Sequence, residues 1–102
     1  MSDQGATLHV VRNSDGWTVT GEIDAHSAPA LATAFGDLPD VTQLVADFAG
    51  VTFMDSSGLR VLLDAAMKAA AAGKTFAIAH PQPAIRRVVE ISGLTEHLHF
   101  LD

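Results

Sequence analysis

Apolar and polar residues alternate in the first part of the chain, a pattern typical of β-strands with one buried face. Residues 8–11 form a short apolar and β-branched run, and the polar residues 12–16 after it favour a turn. Residues 17–21 alternate again and place Trp17 and Val19 on the same side. We therefore predict an N-terminal β-hairpin.

The next segment is predicted as a helix followed by a strand. Ser27 stands just before a proline, so we expect its hydroxyl to cap the first helical turn, and Gly36 is placed to end the helix. Residues 44–48 are predicted as a mostly buried strand, residues 49–51 as a break and residues 52–54 as a short extended piece. The chain thus alternates from strand to helix to strand.

The strongest helical pattern lies in the middle of the chain. Its apolar residues recur at helical spacing and share one predicted face. They are Leu59, Leu62, Leu63, Ala66, Met67 and Ala70. On the opposite face Asp64 stands four residues before Lys68, a spacing that supports a helix through an ion pair. Gly73 is placed to end this helix, because glycine takes the left-handed cap conformation without steric cost.

The last part of the chain predicts a strand, a helix and a strand. Residues 75–79 and residues 98–101 are the predicted strands, and His80, which precedes a proline, is expected to be extended. A nearby proline opens the helix between them, and Gly93 ends it. Its predicted buried residues are Ile85, Val88 and Val89. Strands joined through helices indicate parallel pairing, so we predict an α/β domain with a mixed sheet, an N-terminal hairpin and helices packed on it.

Size and composition narrow the class of protein. The chain has 102 residues, of which 48% are hydrophobic and 18% charged, so we expect one globular domain over residues 1–102. The absence of cysteine excludes disulfides, cysteine-bound zinc and a thiol nucleophile. A formal charge of -6 disfavours nucleic acid as a partner. The start is polar and unlike a secretory signal, and no segment has the ~20 apolar residues of a membrane span, so we expect a cytoplasmic protein.

Residues 53–59, Phe-Met-Asp-Ser-Ser-Gly-Leu, carry the strongest candidate chemistry. Two hydroxyls and a carboxylate stand where a strand turns into the best helix of the chain. The first helical turn has backbone N–H groups without intrahelical partners, so a phosphate on Ser56 would meet hydrogen-bond donors there. The alternative is that Asp55, Ser56 or Ser57 simply caps the helix, and composition alone favours the cap.

Other candidate chemistry is weaker. A nucleophilic serine usually sits in a Gly-x-Ser-x-Gly elbow, but Met54 occupies the place of the first glycine. His97 and His99 would share one face of a strand, yet no third metal ligand stands nearby, so we expect no metal site. Asp47 is interpreted as a polar strand end rather than a phosphate-accepting aspartate. No glycine-rich phosphate loop is present, and we expect no cofactor.

Three segments resemble the STAS domain, specifically that of bacterial anti-sigma factor antagonists. Residues 21–24, Gly-Glu-Ile-Asp, and the helix start near Ser27 resemble the family's loop after its second strand. Residues 53–59 resemble its phosphorylation loop, and residues 91–94, Ile-Ser-Gly-Leu, resemble a weaker signature after the third helix. In that family the first serine after the aspartate accepts phosphate. The resemblance therefore implies that Ser56 is the phosphoacceptor.

The resemblance implies a partner-switching protein that is not an enzyme. Its unphosphorylated form is expected to bind an anti-sigma factor that is also a serine kinase, which releases a sigma factor. Phosphorylation of Ser56 by that kinase ends the association, and a serine phosphatase restores it. The alternative within the same fold is a STAS subunit of a transporter or sensory assembly, which binds proteins without a phosphorylation cycle.

The two family loops are expected to lie at one end of the sheet and to form the partner-binding surface. Its candidate residues are Asp24, Ser27, Asp55, Ser57, Gly58, Leu59 and Arg60. Arg60 also fits a solvated helix residue, and Gly58 also fits the needs of a local turn. Relatives often continue into a further C-terminal helix, whereas this chain stops at Asp102. One sheet surface or edge is therefore expected to be less covered, and either a homodimer or a truncated chain would account for it.

Overall fold

The computed structural model describes residues 8–93 and 97–101. The elements in chain order are β1 (Leu8–Asn13), β2 (Gly16–Ile23), α1 (Ala28–Phe35), β3 (Gln43–Met54), α2 (Ser56–Ala71), β4 (Thr75–Ala79), α3 (Pro83–Ser92) and β5 (His99–Leu101). The polar start of the chain, Leu94 of the third family signature and Asp102 lie outside the described residues.

The five strands form one sheet in the order β1-β2-β3-β4-β5. β1 and β2 pair antiparallel, and each later strand pairs parallel with its neighbour. Parallel neighbours need crossover connections, and the three helices supply them. The predicted mixed sheet with an N-terminal hairpin and packed helices is confirmed.

Aromatic side chains join α1 to the sheet. Trp17 of β2 is buried, and its ring centroid lies 4.6 Å from that of Phe35 in α1 and 5.9 Å from that of Phe76 in β4. The indole N–H of Trp17 donates to the carbonyl oxygen of Ala34 at 3.1 Å. A buried donor without a partner costs about 1–3 kcal/mol of folding free energy, so this hydrogen bond favours one position of α1 on the sheet.

α2 packs on the sheet mainly through small residues. Its buried face therefore differs from the predicted one. The buried residues are Gly58, Leu62, Ala65, Ala66 and Ala69. Met67 is 52% exposed and Ala70 is exposed, so their predicted place on the buried face was wrong. Small side chains allow a closer approach of helix and sheet than leucine or methionine would. The predicted ion pair of Asp64 with Lys68 was also wrong, since neither residue takes part in the ion pairs of the described residues; Lys68 donates to the carbonyl oxygen of Gly36 at the end of α1.

β3 continues through residues 49–51, which were wrongly predicted as a break. Its register with β2 shifts near Ala49, as at a β-bulge. The backbone N–H of Ala49 donates to the Asp47 carboxylate at 3.0 Å, and its carbonyl accepts from the Gln82 side chain at 3.2 Å. Since these side chains satisfy the displaced backbone, the strand can continue. Asp47 consequently lies inside β3 and not at a strand end.

His80 has a left-handed backbone with φ of 55°, so the predicted extended conformation was wrong. Its N–H donates to the carbonyl oxygen of Leu101 at 2.9 Å, and its Nδ1 lies 3.7 Å from the Asp47 carboxylate. The backbone hydrogen bond joins the end of β4 to β5, and the imidazole of His80 lies beside Asp47 of β3. Histidine is among the residue types that enter the left-handed region more often than most.

Candidate functional site

The ends of β2 and β3 bring the two predicted loops together. The backbone N–H of Asp55 donates to the carbonyl oxygen of Ile23 at 3.1 Å. Asp24 follows Ile23 and Ser56 follows Asp55, so the loop after β2 and the start of α2 lie side by side. The structure therefore places the two segments of the family resemblance at the same end of the sheet.

The carboxylate of Asp24 organises the loop after β2. Its Oδ1 accepts hydrogen bonds from the backbone N–H groups of His26 at 3.0 Å and Ser27 at 2.9 Å. The backbone bond from Ser27, followed by the contact with the Ser27 hydroxyl at 3.1 Å, favours the charged carboxylate and lowers the pKa of Asp24. This loop thus has a negative charge held in a fixed place.

Ser27 holds this loop and does not cap α1. It is 5% exposed, and its hydroxyl lies 2.9 Å from the carbonyl oxygen of Glu22 and accepts from the backbone N–H of Asp24 at 3.0 Å. No side-chain hydrogen bond caps α1, so the predicted capping role was wrong. The proline in the first turn already lacks an N–H, which reduces the need for a cap. Ser27 is therefore placed to shape the site from inside.

Asp55 is the cap of α2, which decides between the three capping residues that the sequence left open. Its carboxylate accepts from the backbone N–H of Ser57 at 2.8 Å. Its carbonyl oxygen accepts from the N–H groups of Gly58 at 3.1 Å and Leu59 at 3.2 Å. Ser56 is the first residue of the helix and is exposed. Its hydroxyl can therefore be reached from solvent while the neighbouring residues hold the turn.

Gly58 is buried where the first turn of α2 meets the ends of two strands. A β-carbon on Gly58 would lie 2.4 Å from Cγ of Met54 and 2.7 Å from Cγ2 of Ile23. Both distances are shorter than van der Waals contact, so the absence of a side chain permits this approach. Gly58 and Ser27 are thus positioning residues of the candidate site.

Two grooves meet at the start of α2. One lies between α1 and α2 and has a volume of about 570 Å³; the other lies beside α2 near the end of α3 and has about 340 Å³. Ser56, Arg60 and Asp64 line both grooves. Because they are spaced four residues apart on one helix, they form a ridge between the grooves. We call these three residues the α2 ridge.

The wall that α1 gives to the first groove was not anticipated from the sequence. Small side chains form this wall; they belong to Ala28, Pro29 and Ala32 of α1, with Ala25 of the preceding loop beside them. The four-residue spacing of Ala28 and Ala32 was an available signal, since alanines one turn apart make a flat strip on a helix. Sequence reasoning had used this segment only to place a cap and a helix.

Two further features were sought in the described residues, a cluster of metal-ligating side chains and a helix able to cross a membrane. Residues 8–93 and 97–101 contain no group of three or more histidine, aspartate or glutamate side chains that could hold a metal ion. His97 precedes β5, so it does not share a strand face with His99 as predicted. Within the same residues, none of the helices has both the length and the apolar character that crossing a membrane requires.

Comparisons with known proteins identify the family of this chain. Residues 7–101 match a family described as "Mlab, STAS domain". An anti-sigma factor antagonist from Mycobacterium paratuberculosis is 32% identical and superimposes with a TM-score of 0.73 over 93% of this chain and 84% of that chain.

Two structures of the antagonist SpoIIAA share the fold. The unphosphorylated form is 20% identical, with a TM-score of 0.67 over 93% of this chain and 87% of that one. The phosphorylated form, from Bacillus, is 22% identical, with a TM-score of 0.65 over 93% of this chain and 91% of that one. Because the family match spans residues 7–101 and the mycobacterial antagonist is 32% identical over most of both chains, this chain belongs to the STAS domain family of anti-sigma factor antagonists.

Proposed function

We propose that this chain is a phosphorylation-controlled anti-sigma factor antagonist. In its unphosphorylated form it binds an anti-sigma factor that has serine kinase activity, and a sigma factor is released. Phosphorylation of Ser56 by that kinase ends the association, and a serine phosphatase restores it. In this cycle the chain is a substrate and a binding partner, and it needs no catalytic residue or cofactor of its own.

The exposed position of Ser56 is the observation that carries the proposal. A kinase must reach the hydroxyl, and Ser56 is exposed at the first residue of α2, whereas Ser57 beside it is half-buried. The cap made by Asp55 holds the backbone of this turn without using the Ser56 side chain. The residue that the family resemblance singles out is therefore the accessible one of the two serines.

The surroundings of Ser56 suit a partner surface. The loop of Asp24 and the start of α2 adjoin each other, and Leu59 is half-buried on the next turn. The groove against α1 offers small side chains that a partner could cover. The proposed direct contacts are Asp24, Asp55, Ser57, Leu59 and Arg60. The buried residues Ser27 and Gly58 keep them in place.

Electrostatics explains how one phosphate could separate the partners. A phosphoryl group adds about -1.5 to -2 charge at neutral pH. It would stand next to Asp55 and two turns from Asp64, in a chain whose formal charge is already -6. A hundredfold loss of affinity corresponds to about 2.7 kcal/mol, which a desolvated and repelled phosphate can supply. No large rearrangement is required.

The relatives support the proposal but do not test it. SpoIIAA has been described in an unphosphorylated and in a phosphorylated form, so a protein of this fold can exist in both states. Transfer of that property to this chain depends on the match of residues 53–59 and on the exposure of Ser56.

The proposal is tested by phosphorylation in vitro. The full chain is incubated with a candidate anti-sigma factor of the kinase type and ATP, and intact mass with peptide mapping follows. We expect one phosphate on Ser56, none in Ser56→Ala, and unchanged modification in Ser14→Ala, whose serine is exposed between β1 and β2, as the matched control. The proposal would be contradicted if the kinase phosphorylates its known antagonist in a parallel reaction but leaves Ser56 unmodified. Co-purification of a transporter ATPase in place of a kinase-type anti-sigma factor would favour the alternative STAS assembly.

A further inference from the structure

Arg60 is an exposed cation one helical turn from Ser56. It lies on the α2 ridge, where both residues line the same two grooves. The ion pairs formed among the described residues involve other side chains, and Arg60 takes part in none of them. The N–H groups of its guanidinium are therefore available to an anionic group.

The walls of the two grooves supply no other cation. The α1 residues that line the first groove are uncharged, and the α3 residue that lines the second is Ser92. The charged groups around Ser56 are Asp55 at the cap, Asp24 in the adjoining loop, Arg60 one turn along and Asp64 two turns along. A new negative charge on Ser56 would have Arg60 as its only basic neighbour among these lining residues.

We propose that Arg60 binds the phosphate of phosphorylated Ser56. This inference rests on the proposed phosphorylation and adds how the phosphate is held. An anion four residues before a cation is the favourable order for a pair on a helix. A guanidinium can also donate two parallel hydrogen bonds to phosphate oxygens. Asp64, four residues after Arg60, offers the reverse order and a smaller charge, so it is the weaker competitor.

This pairing makes phosphorylation change the docking surface in two ways. It adds negative charge at Ser56, and it draws the positive charge of Arg60 away from a partner. The side chain that is available for an acidic group of the partner before phosphorylation is occupied afterwards. A single modification then removes one attraction and adds one repulsion at the same place.

The test measures the titration of the phosphate itself. Phosphoserine is incorporated at position 56 of the full chain during translation, and phosphorus NMR follows the second ionisation of the phosphate at low ionic strength. A neighbouring cation favours the dianion, so Arg60→Gln should raise the titration midpoint by a few tenths of a pH unit. Arg60→Lys should keep part of the effect, because the charge remains without the planar fork.

Two further variants sharpen the outcome. Arg87→Gln removes an exposed arginine of α3 that lines neither groove, and it should leave the midpoint unchanged. Asp64→Asn removes the competing carboxylate and should lower the midpoint. High salt should reduce the Arg60 effect. An identical midpoint in Arg60→Gln and in the chain with Arg60 would overturn the inference.

The test separates this inference from the function on which it rests. Because translation supplies the phosphate, the titration does not depend on any kinase. A chain that no kinase modifies, but whose phosphate responds to Arg60→Gln, would refute the proposed function and keep the pairing. If the kinase modifies Ser56 but Arg60→Gln leaves the titration midpoint unchanged, the proposed function is kept and the pairing is refuted.

Discussion

Gly58 lies so close to Met54 that a β-carbon on the glycine would stand 2.4 Å from Cγ of the methionine. Met54 ends β3 and Gly58 belongs to the first turn of α2, so this contact sets the distance between the helix and the sheet. Ser56 lies between them in the chain. The position of the candidate phosphoacceptor therefore depends on a buried packing contact between helix and sheet.

We expect Gly58→Ala to destabilise the fold. The added methyl group forces Met54 or Ile23 to move, and overpacking of a core typically costs 1–3 kcal/mol. Alanine gains about 1 kcal/mol over glycine in a helix, which offsets part of that cost. The net loss in the free energy of unfolding should be about 1 kcal/mol, measured by urea denaturation. Gly36→Ala is the milder control, since its β-carbon would meet the carbonyl oxygens of Thr33 at 3.2 Å and Ala32 at 3.6 Å. Equal losses in both variants would contradict the packing argument.

The lowered pKa of Asp24 predicts a stability that depends on pH. A carboxyl whose pKa is lower in the folded state binds fewer protons there than in the unfolded state. It therefore stabilises the fold above its unfolded pKa, and the contribution is lost as the pH falls through its folded pKa. The stability advantage over Asp24→Asn should be present at neutral pH and decline below about pH 4. Urea denaturation across this range measures both chains.

Ser27→Ala gives a second measurement on the same carboxylate. It keeps the backbone N–H that is the largest cause of the shift and removes the hydroxyl contact at 3.1 Å. Its pH dependence should lie between those of the unaltered chain and Asp24→Asn. A difference between the unaltered chain and Asp24→Asn that stays constant over the acidic range would refute this account.

The cap of α2 can be separated from its charge. Asp55→Ala removes the side-chain oxygen that accepts from the Ser57 N–H, and loss of such a cap costs about 1 kcal/mol. Asp55→Asn keeps an oxygen in that place, so its cost should be smaller. Thermal unfolding followed by circular dichroism compares them. If both variants lose the same stability, the charge of Asp55 and not its hydrogen bond would be the important property.

Most elements of the fold follow from local periodicity. Trp17 and Val19 of β2 are buried as their alternation predicts, and Gly93 ends α3 with φ of 82°. These features depend on residues within one turn or one strand. The candidate site was found for a similar reason, since Asp55 and Ser56 are adjacent in the chain and carry a recognisable pattern.

The features that were missed depend on contacts between distant residues. The register shift in β3 goes with a hydrogen bond to the carbonyl oxygen of Ala49 from Gln82, which is 33 residues away. The conformation of His80 goes with contacts to Asp47 and Leu101 on two other strands. A local pattern contains none of this information. The groove wall on α1 was not predicted, because alanines favour a helix but do not indicate which of its faces will line a groove.

Variants of Ser56 test whether the charge or the hydroxyl governs partner binding. Ser56→Ala should bind the anti-sigma factor about as well as the unphosphorylated chain, because the exposed hydroxyl makes no contact that holds the fold. Ser56→Glu adds one negative charge where phosphate would add nearly two. We therefore expect about a tenfold loss of affinity, or 1.4 kcal/mol, against the hundredfold loss proposed for the phosphorylated chain. Titration calorimetry measures each value.

The control for Ser56→Glu changes net charge without changing the site. Ser14 is exposed between β1 and β2, so Ser14→Glu adds the same charge outside the two loops of the candidate surface. It should leave the affinity within about twofold, because charges separated by more than ~10 Å are largely screened at moderate salt. A similar loss in both glutamate variants would assign the effect to net charge. Equal affinity of the phosphorylated and unphosphorylated chains would reject switching, because a partner that binds both forms equally well is not released by the modification.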